Sequence, residues 1–273
     1  MTVEAEEFPD PASSLLAFFG SELRRVRQDA GLSQEEGARK AHTTQSMLSK
    51  VEAAKRVPSE DLARDLDAAF GTGGHFSRLY PLVIRYAYPS WFLPYVELEQ
   101  EATSMRVFES QIIPGLLQTE DYARAMLSAV RPDNLDDLVA ARMTRQEVFE
   151  KETPPRTWFV LDEFVLLRSI GGPDVFRTQL ERLLTAGQDP RTVIQVVPRT
   201  VVAHAGLAGP FTLLGFDEGA DVLYVDGFSQ GRMALDTTEV AAGGHAYDLL
   251  RAAALSHDAT AELIGRHLEE RDR

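Results

Sequence analysis

Gln45, Ser46, Ser49 and Lys50 lie on the outward side of a short helical pattern whose inward side carries Leu48 and Val51. A glutamine amide offers a donor and an acceptor together, the pair that adenine N6 and N7 require in the major groove. Lys50 has the charge and reach for guanine or for a phosphate. These types at this spacing point to contact with duplex DNA. A different chemistry is suggested further on, where Asp162 and Glu163 follow an extended run and His204 lies in the loop HAGLAG. A carboxylate pair with a histidine forms a general acid–base set or part of a metal site. The same residues also cap helices and fix loops, and Glu163 opens a helix whose N-terminus attracts negative charge. There is no nucleophile elbow, phosphate loop, dinucleotide fingerprint or H-E-x-x-H, so the expectation is no enzyme, with no catalytic residue, metal or cofactor.

The elements that must position Gln45 and Lys50 are two short helices in the stretch GLSQEEGARKAHTTQSMLSKVEAAKRVP, residues 31–58. The first begins at Ser33, whose hydroxyl caps the first turn while Glu35 and Glu36 favour its positive end, and it runs to Ala41. The second begins at Thr44, again a good N-cap. Only about three residues join them, which fits a helix-turn-helix whose second helix enters the major groove with its N-terminal residues against base edges. The alternative is a small helical bundle with polar solvent faces. Residues 15–86 hold 11 Lys and Arg against 9 Asp and Glu, a net of +2 in a chain of −14, which leaves −16 on the remainder. A local positive excess in an acidic protein is what a phosphate-contacting domain shows.

With 273 residues, 44% of them hydrophobic, the chain can bury two cores. The absence of cysteine excludes a disulfide framework and any thiolate metal site. The beginning MTVEAEEFPDP is acidic, without an apolar run, and no stretch approaches the ~18 apolar residues of a membrane span. A soluble, cytoplasmic and nucleoid-associated protein with no membrane partner is expected.

Three parts are predicted: a disordered acidic tail at 1–14, a helix-turn-helix domain at 15–86, and a regulatory, dimerisation or partner-binding domain at 87–273. The fold class is an all-α N-terminal five-helix domain followed by an α+β or α/β domain with a sheet of four or more strands. The N-terminal helices are expected over 15–29, 33–41, 44–53, 59–70 and 74–84, with Gly31, Gly71, Gly73 and Gly74 as stops. In the second domain, strands are expected over 107–110, 157–161, 192–197, 210–216 and 221–225, and helices over 119–129, 135–151, 173–186, 239–256 and 259–271. Arg142 and Arg145, with Glu109, Gln111 and Gln118, are candidates for a ligand or partner site, since cleft arginines grip carboxylate or phosphate bidentately. An internal salt-bridge network uses the same residues, and both readings stay open.

Leu23-Arg24, Arg27, Gly31-Leu32-Ser33-Gln34, the helix from Thr44 to Glu52, and Pro58-Ser59 resemble the phage-repressor (Cro/C1, xenobiotic-response-element) class of helix-turn-helix proteins. The resemblance implies that Gln34 touches phosphate and braces Gln45. It implies that Thr44, Gln45, Ser46 and Lys50 face bases or the adjoining backbone, and that Lys55 and Arg56 lie along phosphates. With the outward Ser49, these form the expected DNA-binding set. Three positions depart from the class pattern: Gly37 stands where a buried leucine is expected, and His42 and Ala54 replace glycines. Further on, LEQEATSMRVFESQIIPGLLQTEDYARAML, AARMTRQEVFEK, VLDEFVLLRSIGG, QLERLL, IQVVP and HAGLAGPFTLLGF resemble the C-terminal domain of actinobacterial regulators of the WhiJ-like, antitoxin-like kind. That resemblance implies a transcriptional regulator, often encoded beside a small acidic partner protein. The resulting expectation is a repressor-type homodimer on double-stranded DNA with a palindromic operator, controlled by a partner or an unknown small-molecule effector. Two alternatives are an antitoxin-like protein that binds a small partner and autoregulates its operon, and an enzyme fused to a DNA-binding domain.

Overall fold

The computed structural model describes residues 8–228 and 230–270. Residues 1–7 of the tail expected at 1–14, and residue 271 of the last expected helix, therefore lie outside the described residues. In chain order the α-helices are α1 Leu15–Asp29, α2 Gln34–Lys40, α3 Gln45–Glu52, α4 Glu60–Phe70, α5 His75–Ala87, α6 Leu93–Glu101, α7 Glu120–Ser128, α8 Leu135–Thr144, α9 Pro173–Ala186, α10 Thr237–Ala253 and α11 His257–Glu269. The strands are β1 Ser104–Glu109, β2 Arg156–Asp162, β3 Thr192–Val197, β4 Phe211–Gly215, β5 Val222–Val225 and β6 Arg232–Ala234. Two compact units result: Met1–Ser90 with Val130–Thr144, and Trp91–Ala129 with Arg145–Arg273.

The first unit buries Leu16, Phe19 and Leu23 of α1 against Leu48 and Val51 of α3, Leu62 and Leu66 of α4, and Phe76 and Val83 of α5. Phe19 and Phe76 meet with ring centroids 5.1 Å apart. Gly74 cannot cap α5 with a side chain, and Asp67 replaces it by accepting from Phe76 N–H, Ser77 N–H and Ser77 Oγ at 2.9, 2.9 and 2.6 Å. Burial pushes the Asp67 carboxyl up, but these hydrogen bonds hold it below the usual carboxylate range. Sequence reasoning places the domain boundary at 86/87 and a single helix over 135–151. The boundary instead falls after Ser90, because α5 runs on to Ala87 and Tyr88 is buried with its hydroxyl donating to Ala141 O at 2.9 Å. The 135–151 segment is α-helical only through Thr144 and becomes a 3₁₀ turn at Arg145–Glu150. Its two halves fill different cores, Val139, Ala140 and Met143 in the first unit and Val148 in the second.

The second unit is α+β, built on one six-stranded sheet of order β3-β2-β1-β4-β5-β6. β1, β2 and β3 run parallel, and β4, β5 and β6 are antiparallel to their neighbours. Alternation along each strand sends residues to two cores. Met105, Val107, Phe159, Leu161, Ile194, Val196, Leu214, Val222 and Tyr224 pack on one face with Tyr95, Tyr122, Phe176, Leu180, Leu183, Leu263 and Ile264. Phe108, Val160, Val197, Leu213, Leu223 and Ala234 turn to the other face and meet Tyr247 and Leu250 of α10. Two elements lie outside the sequence expectation. In α6 the apolar residues Tyr95, Val96 and Leu98 make no single stripe, and β6 is three residues long, too short to show alternation.

Gly206 lies so close to the sheet that a Cβ there would stand 2.1 Å from a Phe108 ring carbon. Gly206→Ala is expected to lower stability by about 1–3 kcal/mol in denaturant unfolding through overpacking. Gly265→Ala in α11, where a Cβ meets nothing within 4 Å, should instead raise it by about 0.5–1 kcal/mol.

Candidate nucleic-acid interface

Three successive helix ends in the first unit close in the same way. After α1, α2 and α3 the chain turns left-handed at Gly31 (φ 67°), His42 (φ 50°) and Ala54 (φ 54°). In each case the next amide reaches back to the third carbonyl from the helix end: Leu32 to Arg27, Thr43 to Ala38, and Lys55 to Lys50, at 3.1, 2.9 and 2.8 Å. This is the Schellman arrangement, which normally takes glycine at the left-handed residue. His42 and Ala54, the two glycine replacements noted in the sequence, hold that conformation without glycine. α2 starts with a capping box, Glu36 N–H to Ser33 Oγ and Ser33 N–H to the Glu36 carboxylate. α3 starts with Thr44 Oγ1 accepting from Met47 N–H at 3.1 Å.

Beneath α3 lies a buried polar cluster. Arg27 of α1 forms a two-pronged pair with Glu52 at the end of α3, Nε to Oε1 at 2.5 Å and Nη2 to Oε2 at 2.9 Å. The Glu52 side chain is fully buried. Arg27 Nη1 also donates to Leu32 O at 2.8 Å, and Gln34 Nε2 donates to Glu52 Oε2 at 3.0 Å. One carboxylate thus ties α1, the start of α2 and the end of α3 together. Gly37 fits the same cluster, since a Cβ there would lie 2.9 Å from Arg27 Cδ. The space that a leucine would take is filled by the Arg27 stem. Gly20 plays the matching part on α1: a Cβ there would come within 2.5 Å of Val51 O, so the backbones of α1 and α3 touch. Sequence reasoning missed Gly20, whose only signal is a small residue on the buried stripe between Leu16 and Leu23.

What α3 leaves outside is polar. Thr44, Gln45 and Ser46 are exposed at its N-terminus, while Ser49 and Lys50 are half-buried along the same helix. Lys55 is exposed, and Arg56 Nη1 donates to Lys55 O at 2.8 Å. The structure thus brings Thr44, Gln45, Ser46, Ser49 and Lys50 onto one short helix, with Lys55 and Arg56 in the segment after it. Gln34 differs from expectation: its amide braces Glu52, where the resemblance had it bracing Gln45.

The residues proposed for a ligand or partner site are not gathered in one unit. Arg142 lies on α8 in the first unit, and Glu109, Gln111, Gln118 and Arg145 lie in the second. Arg145 is buried in a bidentate pair with Glu99, at 2.7 and 2.6 Å, with Phe92 and Tyr95 rings 5.2 and 5.7 Å from its guanidinium carbon. Gln118 is buried and donates to Ile113 O at 2.7 Å, Glu109 is buried at the end of β1, and Gln111 is exposed.

At the carboxyl end of β2, His204 Nε2 and Asp162 Oδ2 are 3.1 Å apart, and His204 Nδ1 accepts from Gly206 N–H at 3.2 Å. The second bond requires the Nε2 tautomer, so Nε2–H donates to the carboxylate and both ring nitrogens are used within the fold. Glu163 accepts from Arg199 N–H at 2.7 Å. These groups pin the 199–206 loop to the sheet. No group of three metal-ligating side chains occurs among the described residues.

Glu52→Ala leaves the Arg27 guanidinium buried without its carboxylate and is expected to cost about 3–5 kcal/mol, read by thermal or denaturant unfolding. Ala54→Gly should gain about 1 kcal/mol by relieving the left-handed alanine, and no gain would contradict the strain assigned to that turn.

Residues 19–76 match a family described as Helix-turn-helix domain. Residues 92–266, more than half of the chain, match the family Domain of unknown function (DUF5753). No curated protein matches the chain, and no solved structure matches it. The first match covers α2 and α3 and supports a DNA-binding regulator. Among the described residues, no helix is long and apolar enough to cross a membrane.

Proposed function

We propose that this chain, which belongs to the DUF5753 family and carries a helix-turn-helix domain ahead of that family's domain, is a sequence-specific transcriptional regulator of the repressor type. The observation that carries this reading is the exposed Thr44-Gln45-Ser46 edge at the start of α3, on a helix fixed from beneath by Glu52. Side chains that read bases must be presented rigidly, because a misplaced bidentate donor–acceptor pair loses its discrimination. Gln45 then reads base edges, Thr44, Ser46 and Ser49 contact bases or backbone, and Lys50, Lys55 and Arg56 contact phosphates. One helix reads only a few base pairs, so the active species is a homodimer that places two copies of α3 about one DNA turn apart on a palindromic operator. The acidic second domain, whose sequence resembles that of WhiJ-like regulators, supplies dimerisation and responds to a partner or effector.

A second reading, that the chain mainly binds a small partner protein in the antitoxin manner, is favoured by one feature of the second unit. Phe164, Val202 and Leu207 are exposed on segments that Asp162–His204 and Glu163–Arg199 tie together, and grouped exposed apolar residues mark protein contacts. Co-purification of a small protein that is lost in Phe164→Ser would favour it.

For the DNA reading, Gln45→Ala is expected to weaken operator binding by about 1–3 kcal/mol and to relax preference at one position in each half-site. Quantitative titration against operator and random duplexes at one salt concentration checks this. An equal loss on both would show that Gln45 does not read sequence.

A further inference from the structure

Thr144 and Arg145 are neighbours in sequence, yet each is anchored in a different unit. Thr144 Oγ1 accepts from Val57 N–H at 2.9 Å while donating to Ala140 O at 2.8 Å. Val57 directly follows Lys55 and Arg56, so this hydroxyl fixes the backbone of the segment expected on phosphates. Arg145 is locked to Glu99 in the second unit. At the bond between them the helix changes from α to 3₁₀, and a change of helical type within a run often marks a hinge. The other end of α8 also continues into the second unit, at Ala129. α8 is thus a helix of the DNA-reading unit that is tethered at both ends to the rest of the chain.

Its seat combines good contacts with one poor one. Val139, Ala140, Ala141 and Met143 are buried, and Tyr88 Oη donates to Ala141 O at 2.9 Å. Asp137 is only 3% exposed. Its Oδ1 accepts from Ser14 Oγ at 2.8 Å, but Oδ2 is buried with no hydrogen-bond partner among the described residues. Burial, with Asp136 alongside, pushes the Asp137 carboxyl above the usual range despite the Ser14 hydrogen bond. A buried carboxylate oxygen without a donor opposes docking, so α8 is held less firmly than its apolar contacts alone would hold it. Elements of this kind supply the two positions that a switch needs.

We propose that α8 is a detachable strap through which the second unit controls the DNA-reading unit. Seated, it fixes Val57 and with it Lys55 and Arg56; displaced, it frees that segment and weakens the grip on DNA. The proposal rests on the DNA-binding reading above and adds its route of regulation.

The test compares the full-length wild type with Tyr88→Phe, Thr144→Val and Asp137→Asn by amide hydrogen exchange. Tyr88 does not bond Val57, yet loss of its hydroxyl should speed exchange of the Val57 amide by about fivefold by unseating α8. Thr144→Val should speed it at least as much. Asp137→Asn, which removes the buried charge and retains an oxygen for Ser14, should slow it. The same proteins are then titrated with a duplex that the wild type selects from a random pool, and affinity should fall for Tyr88→Phe and rise for Asp137→Asn. Val57 exchange unchanged in both Tyr88→Phe and Asp137→Asn overturns the strap whatever happens on DNA. Altered exchange with unchanged affinity overturns its control of DNA binding. A wild type that selects no duplex overturns the DNA reading itself, and the control of DNA binding falls with it, while the exchange data still report on the strap.

Discussion

The first unit depends on the buried pair between Arg27 and Glu52. Bringing a guanidinium and a carboxylate out of water costs several kcal/mol per ion, and only close geometry with further hydrogen bonds offsets it. Here the offset is supplied by two direct bonds, the Leu32 carbonyl and the Gln34 amide. Because the satisfied state needs α1, the start of α2 and the end of α3 all in place, the pair specifies one arrangement of α3. Gly20 and Gly37 are the geometric counterpart: one lets α1 and α3 touch, and the other leaves room for the Arg27 stem. The chain thus replaces an apolar plug with an ionic one.

The second unit uses polar groups in a related way. Asp162, Glu163 and His204 have the composition of a catalytic set, and their bonds run inward to loop amides and to each other. Both ring nitrogens of His204 are engaged in this way, one with Asp162 and one with the Gly206 amide. Arg145 and Glu99 likewise form a buried pair next to stacked aromatic rings. In both units, buried ionic groups fix the position of segments that apolar packing alone would leave adjustable.

Much of this was legible in the sequence, for local reasons. Ser33, Thr44, Ser59 and Thr119 announce helix starts because a cap is a short-range bond, and their helices begin one residue later. The β-branched runs at 157–161 and 192–197 gave β2 and β3 to within a residue, because both lie in the parallel part of the sheet, β2 inside it with a run of buried residues and β3 at its edge with buried residues at alternate positions. What escaped depends on distance in space. The departure at Gly37 looks different once Arg27, ten residues earlier, is seen to fill the place of the expected leucine. The role of Gln34 changed because Glu52, eighteen residues later, is its partner. The return of α8 to the first unit has no local signal, since its sequence reads on into Arg145 without a breaker, and only the separate cores divide it.

Taken together, a rigid ionic cluster presents a polar helix edge, and a tethered helix steadies the segment that follows it. The most direct measurement is selection of bound duplexes from a random pool by the full-length chain, against random competitor at physiological salt. The account expects an enriched motif of two inverted half-sites with centres about 10–10.5 base pairs apart, or a multiple of that, lost in Gln45→Ala at one position of each half. Enrichment of no sequence, or binding that falls with salt equally for every duplex, would contradict it.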